Sequence, residues 1–130
     1  MKKLTLILSL VFTVTLSSPS FAEWTKVGTN TAGSTFYVDF ERIRKHGGYV
    51  YYWYSGEFSK PDKDGELSYQ TYIQGDCKLF RVKTLSETYY KESMRGGTAR
   101  HQFLNKLQKD WKYAPPDSMM EHILKKVCSR

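Results

Sequence analysis

Apolar and polar positions alternate with period two through much of the chain, and glycine, proline and polar clusters cut that alternation into short segments. Trp24–Val27 reads as a first strand, closed by the polar run Gly28–Ser34. Thr35–Phe40 has the aromatic and β-branched content of a second. Glu41–Lys45 sets charges around Ile43 and reads as a short edge strand, reversed by Gly47 and Gly48. Tyr49–Phe58 is the longest strand signal, with Tyr49, Tyr51 and Trp53 alternating with Val50, Tyr52 and Tyr54. Both faces of such a strand are aromatic, so it is either covered on both sides or open to a partner on one.

In the next segment Leu67, Tyr69, Thr71 and Ile73 face one way and Ser68, Gln70, Tyr72 and Gln74 the other, the pattern of an antiparallel strand with one wet face. The phase breaks before Phe80 and Val82, which places a turn or bulge at Gly75–Lys78 with Cys77 at its lip. A return strand runs from Leu79 to about Tyr90, ended by Arg95, Gly96 and Gly97. Phe103, Leu107 and Trp111 then recur at helical spacing; an amphipathic helix fits them, and a strand with an irregular loop is the alternative. Pro115 and Pro116 stop whatever precedes them. Ser118 and Glu121 form a capping box, and the helix it starts turns Met119, Ile123, Leu124 and Val127 inward, carries Lys125 and Lys126 at its C-terminal end and closes at Cys128. These segments predict one α+β domain with about five to six strands.

Residues 1–22 stand apart from this pattern. Lys2 and Lys3 precede an apolar run from Leu4 to Leu16, and Ser20 and Ala22 flank Phe21, which predicts an export signal cleaved after Ala22. The run falls short of the roughly 20 apolar residues of a membrane span, so no transmembrane segment is expected after its removal. No cysteine lies near the cleavage point, so no lipid anchor is expected either. Removing 22 residues from 130 leaves 108, enough for a single domain, and losing two lysines lowers the net charge from +7 to +5. For an exported basic domain the expected anions are lipopolysaccharide, acidic polysaccharide or host matrix components rather than nucleic acid. Two cysteines in an exported chain, Cys77 and Cys128, are read as a disulfide; a metal pair would need partners at ligand spacing that the sequence lacks.

Candidate chemistry is sparse. His46, His101 and His122 fall in no catalytic motif, and no nucleophile motif or phosphate loop occurs, so neither an enzyme nor a cofactor is expected. Asp62, Asp64 and Gly65 match the start of a calcium loop whose remaining ligands are missing, and they read as an Asp-Gly turn. Two basic groups, Arg42, Arg44 and Lys45 and then Lys78, Arg81 and Lys83, form the candidate binding patch; the competing reading is charged edges that discourage sheet-to-sheet aggregation. Ten tyrosines and three tryptophans are residue types common at recognition surfaces, but most of them read as core or half-buried strand residues.

The order of landmarks resembles the surface-adhesin protein E family: Trp24, the run Tyr37–Asp39, the aromatic strand around Trp53, Asp76 followed by Cys77, Trp111 with a following proline and Ser118, and the final Val127 and Cys128. The resemblance covers essentially all of residues 23–130. It implies an antiparallel sheet with the C-terminal helix packed on it, stapled by a disulfide matching Cys77 and Cys128. The family's founding member binds host matrix proteins such as vitronectin and laminin. The resemblance therefore implies an exported protein, periplasmic or at the cell surface, that binds a matrix protein or an anionic envelope or host polymer. A periplasmic accessory protein that binds an envelope partner is the alternative. The oligomeric state stays open, a homodimer included.

Overall fold

A computed structural model describes residues 23–130; the export signal read in residues 1–22 lies outside them. Among the described residues one eight-stranded antiparallel sheet carries one C-terminal α-helix on one face. The strands are β1 (Thr25–Thr29), β2 (Thr35–Val38), β3 (Arg44–His46), β4 (Tyr49–Glu57), β5 (Ser68–Asp76), β6 (Arg81–Glu92), β7 (Gly96–His101) and β8 (Lys112–Tyr113), and the helix is α1 (Met119–Cys128). The order across the sheet is β1-β2-β4-β5-β6-β7. The long strands β4 and β6 each take two partners along one side: β3 continues the β2 side of β4, and β8 continues the β7 side of β6. No helix among the described residues is long and apolar enough to cross a membrane.

Eight strands exceed the five to six expected, because β7 and β8 are edge strands with mostly exposed side chains and no apolar alternation to betray them. The edge strand expected over 41–45 is divided. Buried Asp39 accepts hydrogen bonds from the Glu41 amide and the Arg42 guanidinium, which winds Phe40–Arg42 into a 3₁₀ turn before β3. The phase break around Cys77 is a four-residue turn, 77–80, and a bulge follows at Leu85, between the pairs Tyr72↔Ser86 and Ile73↔Thr84.

Of the two readings of the segment around 103–111, the irregular loop with a strand is the one found, and the amphipathic helix does not form. Asn105 and Gln108 hydrogen-bond each other's backbone amides through their side chains, at 2.8 and 2.9 Å, and fix an irregular turn instead. Leu104 is buried, while Phe103 and Leu107 are 79% and 78% exposed, so the helical stripe has no core to face.

The capping box does start α1: the Ser118 hydroxyl accepts from the Glu121 amide, and the Glu121 carboxylate reaches back to the Asp117 amide. Ile123, Leu124 and Val127 are buried against Phe36, Val38, Val50, Tyr52, Ile73 and Val82. Gly75 permits that approach, since a Cβ there would lie 2.9 Å from Val50 Cγ2 and 3.0 Å from Leu124 Cδ1. The Cys77–Cys128 disulfide ties the end of α1 to the β5–β6 turn. Asp76 shapes that turn: its Oδ1 accepts from the amides of Lys78 and Leu79, and its Oδ2 accepts from Arg81 Nε at 3.1 Å.

Candidate functional site

Alternation along β4 decides which aromatics are core. Val50 and Tyr52 are buried under α1, so Tyr49, Tyr51 and Trp53 project from the opposite, helix-free face. Register carries that face across the sheet: Tyr51 lies opposite Gln74 and Arg44, Trp53 opposite Tyr72, Ser55 opposite Tyr37 and Gln70, and Gln74 opposite Lys83. The Trp53 and Tyr72 rings stand 4.6 Å apart, with Tyr51 6.3 Å from Tyr72. Trp111, brought in just before β8, packs 5.4 Å from Tyr49.

Cations are interleaved with these rings. The Arg42 guanidinium lies between Trp24 and Trp53, at 5.9 and 6.0 Å from their ring centres. Arg95 lies 4.2 Å over Trp24 and donates to the Ser55 hydroxyl at 2.6 Å. Arg81 and Lys83 lie 4.4 and 5.5 Å from the Trp111 ring. Stacking of this kind holds long side chains in place and leaves their charge available at the surface. Two of the charges have carboxylate partners: Asp39 pairs with Arg42 and Asp76 with Arg81. Hydrogen bonds from the Leu79 amide and from Arg81 hold the Asp76 carboxyl below the usual carboxylate range. Burial pulls the Arg95 guanidinium down from its ordinary value.

The six residues of the candidate patch divide. Arg42, Arg44, Arg81 and Lys83 belong to the helix-free face. Lys45 has the opposite register, across from Val50, and hydrogen-bonds the Arg130 carbonyl beyond the end of α1. Lys78 is exposed in the β5–β6 turn. Trp24, Tyr72, Trp111 and Arg95 join the site without having been singled out as ligand-binding residues. The signal available for Tyr72 is its place on the wet face of its strand, with Gln70 and Gln74; Trp24, Arg95 and Trp111 arrive through contacts between distant segments.

A family model for the surface-adhesin protein E matches residues 24–129. The chain belongs to the surface-adhesin protein E family. No curated protein matches its sequence. Its fold is similar to solved structures of Haemophilus influenzae protein E. Crystal form II superposes with a TM-score of 0.64 at 15% identity, covering 85% of this chain and 91% of that one. The selenomethionine form gives 0.63 at 15% identity, with coverage of 85% and 89%. Protein E from a non-typeable strain gives 0.58 at 14% identity, with coverage of 86% and 79%. At these identities the likeness is one of fold.

Within this adhesin-family fold several of the other chemistry-bearing residues have structural partners. Asp62, Asp64 and Glu66 bring carboxylate oxygens within 4.8 Å of one another, and two cations lie beside them: Arg100, 2.6 Å from Glu66 and 4.0 Å from Asp64, and Lys91, whose Nζ donates to the Asp64 carbonyl. Asp62 accepts from the amides of Asp64 and Glu66, and Gly65 has φ +75°, an Asp-Gly turn as the sequence implied. The histidines lie on β3, β7 and α1, where His122 Nε2 donates to the Val27 carbonyl at 2.8 Å. Tyr54, Tyr69 and Tyr89 pack together on the other face of the sheet, and burial pushes all three hydroxyls above the ordinary tyrosine value.

Proposed function

We propose that this member of the adhesin family is an exported, surface-associated module that works by binding rather than catalysis, and that its helix-free sheet face holds a matrix protein or acidic polymer. One observation carries the reading: Tyr51, Trp53, Tyr72 and Trp111 stand half-buried on that face with Arg42, Arg44, Arg81 and Lys83 among them. Aromatic planes supply contact area at low entropy cost. Fixed guanidinium groups supply bidentate donors for carboxylate or sulfate. Removal of residues 1–22 during export belongs to the same proposal.

The test has two arms. Intact cells are labelled at the surface, and the purified exported protein is assayed on immobilised vitronectin, laminin and a sulfated polysaccharide. Binding weakens with salt, and Trp53→Ala and an Arg44→Glu, Lys83→Glu pair each weaken it about tenfold or more. A protein confined to the periplasm, with no affinity for any of the three, overturns the proposal.

A further inference from the structure

One margin of the sheet carries a second surface of different character. β7 pairs with β6 at Thr88–Glu92 and β8 pairs with Arg81 and Val82, so no strand covers Lys83–Glu87 on that side. The connection 102–111 runs past this gap, with the Gln102 amide bonded to the Glu87 carbonyl. Its centre is the turn closed by Asn105 and Gln108, with the Lys109 amide bonded to the Asn105 carbonyl and Leu104 buried as its anchor. That turn holds Phe103 and Leu107 out in water.

Six large apolar side chains are exposed among the described residues, and five belong to this margin: Leu79, Leu85, Phe103, Leu107 and Tyr113. Apolar groups gathered at one edge mark an interaction site, whereas scattered ones need no explanation. Exposed Lys78, Lys106, Lys109 and Lys112 stand among them, with Asp110 the single acid of the connection. We propose that this margin docks on an anionic phospholipid surface, with Phe103 and Leu107 entering the boundary between headgroups and acyl chains and the lysines meeting headgroup phosphates. Apolar tips flanked by lysine suit that boundary, where apolar burial and attraction to anionic lipid add together. A second copy suits it poorly: lysines would face lysines, and the bulge at Leu85 breaks the strand edge that pairing requires.

The exported protein is sedimented with phosphatidylethanolamine vesicles prepared with and without phosphatidylglycerol. It partitions onto the anionic vesicles, and salt releases it. A Phe103→Ser, Leu107→Ser variant lowers partitioning about tenfold, and a Lys106→Gln, Lys109→Gln variant about 25-fold, at about fivefold per lysine. All four side chains are exposed, so both variants keep the thermal midpoint of the parent. Trp53→Ala leaves partitioning unchanged, which separates this margin from the helix-free face. Equal binding to vesicles lacking phosphatidylglycerol, no binding to either, or indifference to loss of Phe103 and Leu107 overturns the proposal. So does self-association in ultracentrifugation that the Phe103→Ser, Leu107→Ser variant abolishes, since that assigns the margin to a second copy.

Discussion

Replacing both cysteines, Cys77→Ser with Cys128→Ser, separates two ways in which the staple stabilises the protein. The bond joins residues 51 apart, and on a chain-entropy account its loss frees the unfolded chain by about 4 kcal/mol. The docking of α1 does not rest on the bond alone. Ile123, Leu124 and Val127 are buried on the sheet, and at about 1.5–3 kcal/mol for each such side chain their burial exceeds the contribution of the staple. His122 adds a bond to the Val27 carbonyl and Lys45 one to the Arg130 carbonyl. The double variant therefore folds with α1 in place but melts about 15–20 °C lower. Calorimetry measures the midpoint, and hydrogen exchange reports whether the amides of 123–128 keep their protection. Unfolded-chain exchange rates across α1 would show that the disulfide alone holds the helix. A midpoint within about 3 °C of the parent would show that the staple contributes little; either result refutes the reasoning.

Acid stability tests the turn that Asp76 organises. Its folded-state pKa is lowered, so its contribution is complete above the unfolded value of about 4 and is lost as pH falls through the folded value. Asp76→Asn therefore lowers the urea midpoint more at neutral pH than at about pH 3; an equal loss at both would assign the effect to the turn's shape and not to charge. Gly56→Ala would place a Cβ 2.3 Å from Tyr69 Cε1, a ring in contact with those of Tyr54, Phe58 and Tyr89. The overpacked sheet loses about 1–3 kcal/mol in denaturant titrations, and an unchanged midpoint would mean that the Tyr69 ring gives way freely.

The sequence by itself determined several elements whose signal is local. The alternation of Leu67–Gln74 marks a strand, because one side of a half-buried strand must be apolar. Ser118 and Glu121 mark the start of α1, because an N-cap is satisfied within four residues. The two-cysteine frame and the order of landmarks pointed to the family and the staple. Sequence pattern failed where burial is decided elsewhere: Phe103, Leu107 and Trp111 have helical spacing, yet only Trp111 finds a partner surface, and Asn105 with Gln108 wins the competition for the backbone. β7 and β8 escaped because edge strands need backbone partners and not an apolar face.

The candidate site belongs almost wholly to the second category. Arg42, Arg44, Arg81 and Lys83 were legible as charge, but their grouping depends on strand register, which also sends Lys45 to the opposite face. The two aromatic faces of β4 look alike in sequence. Only the tertiary structure decides between them, because α1 covers Val50 and Tyr52 and leaves Tyr51 and Trp53 on the helix-free face. Local pattern fixes which residues form a strand; which of its faces meets solvent is fixed by a helix some 70 residues away in the chain.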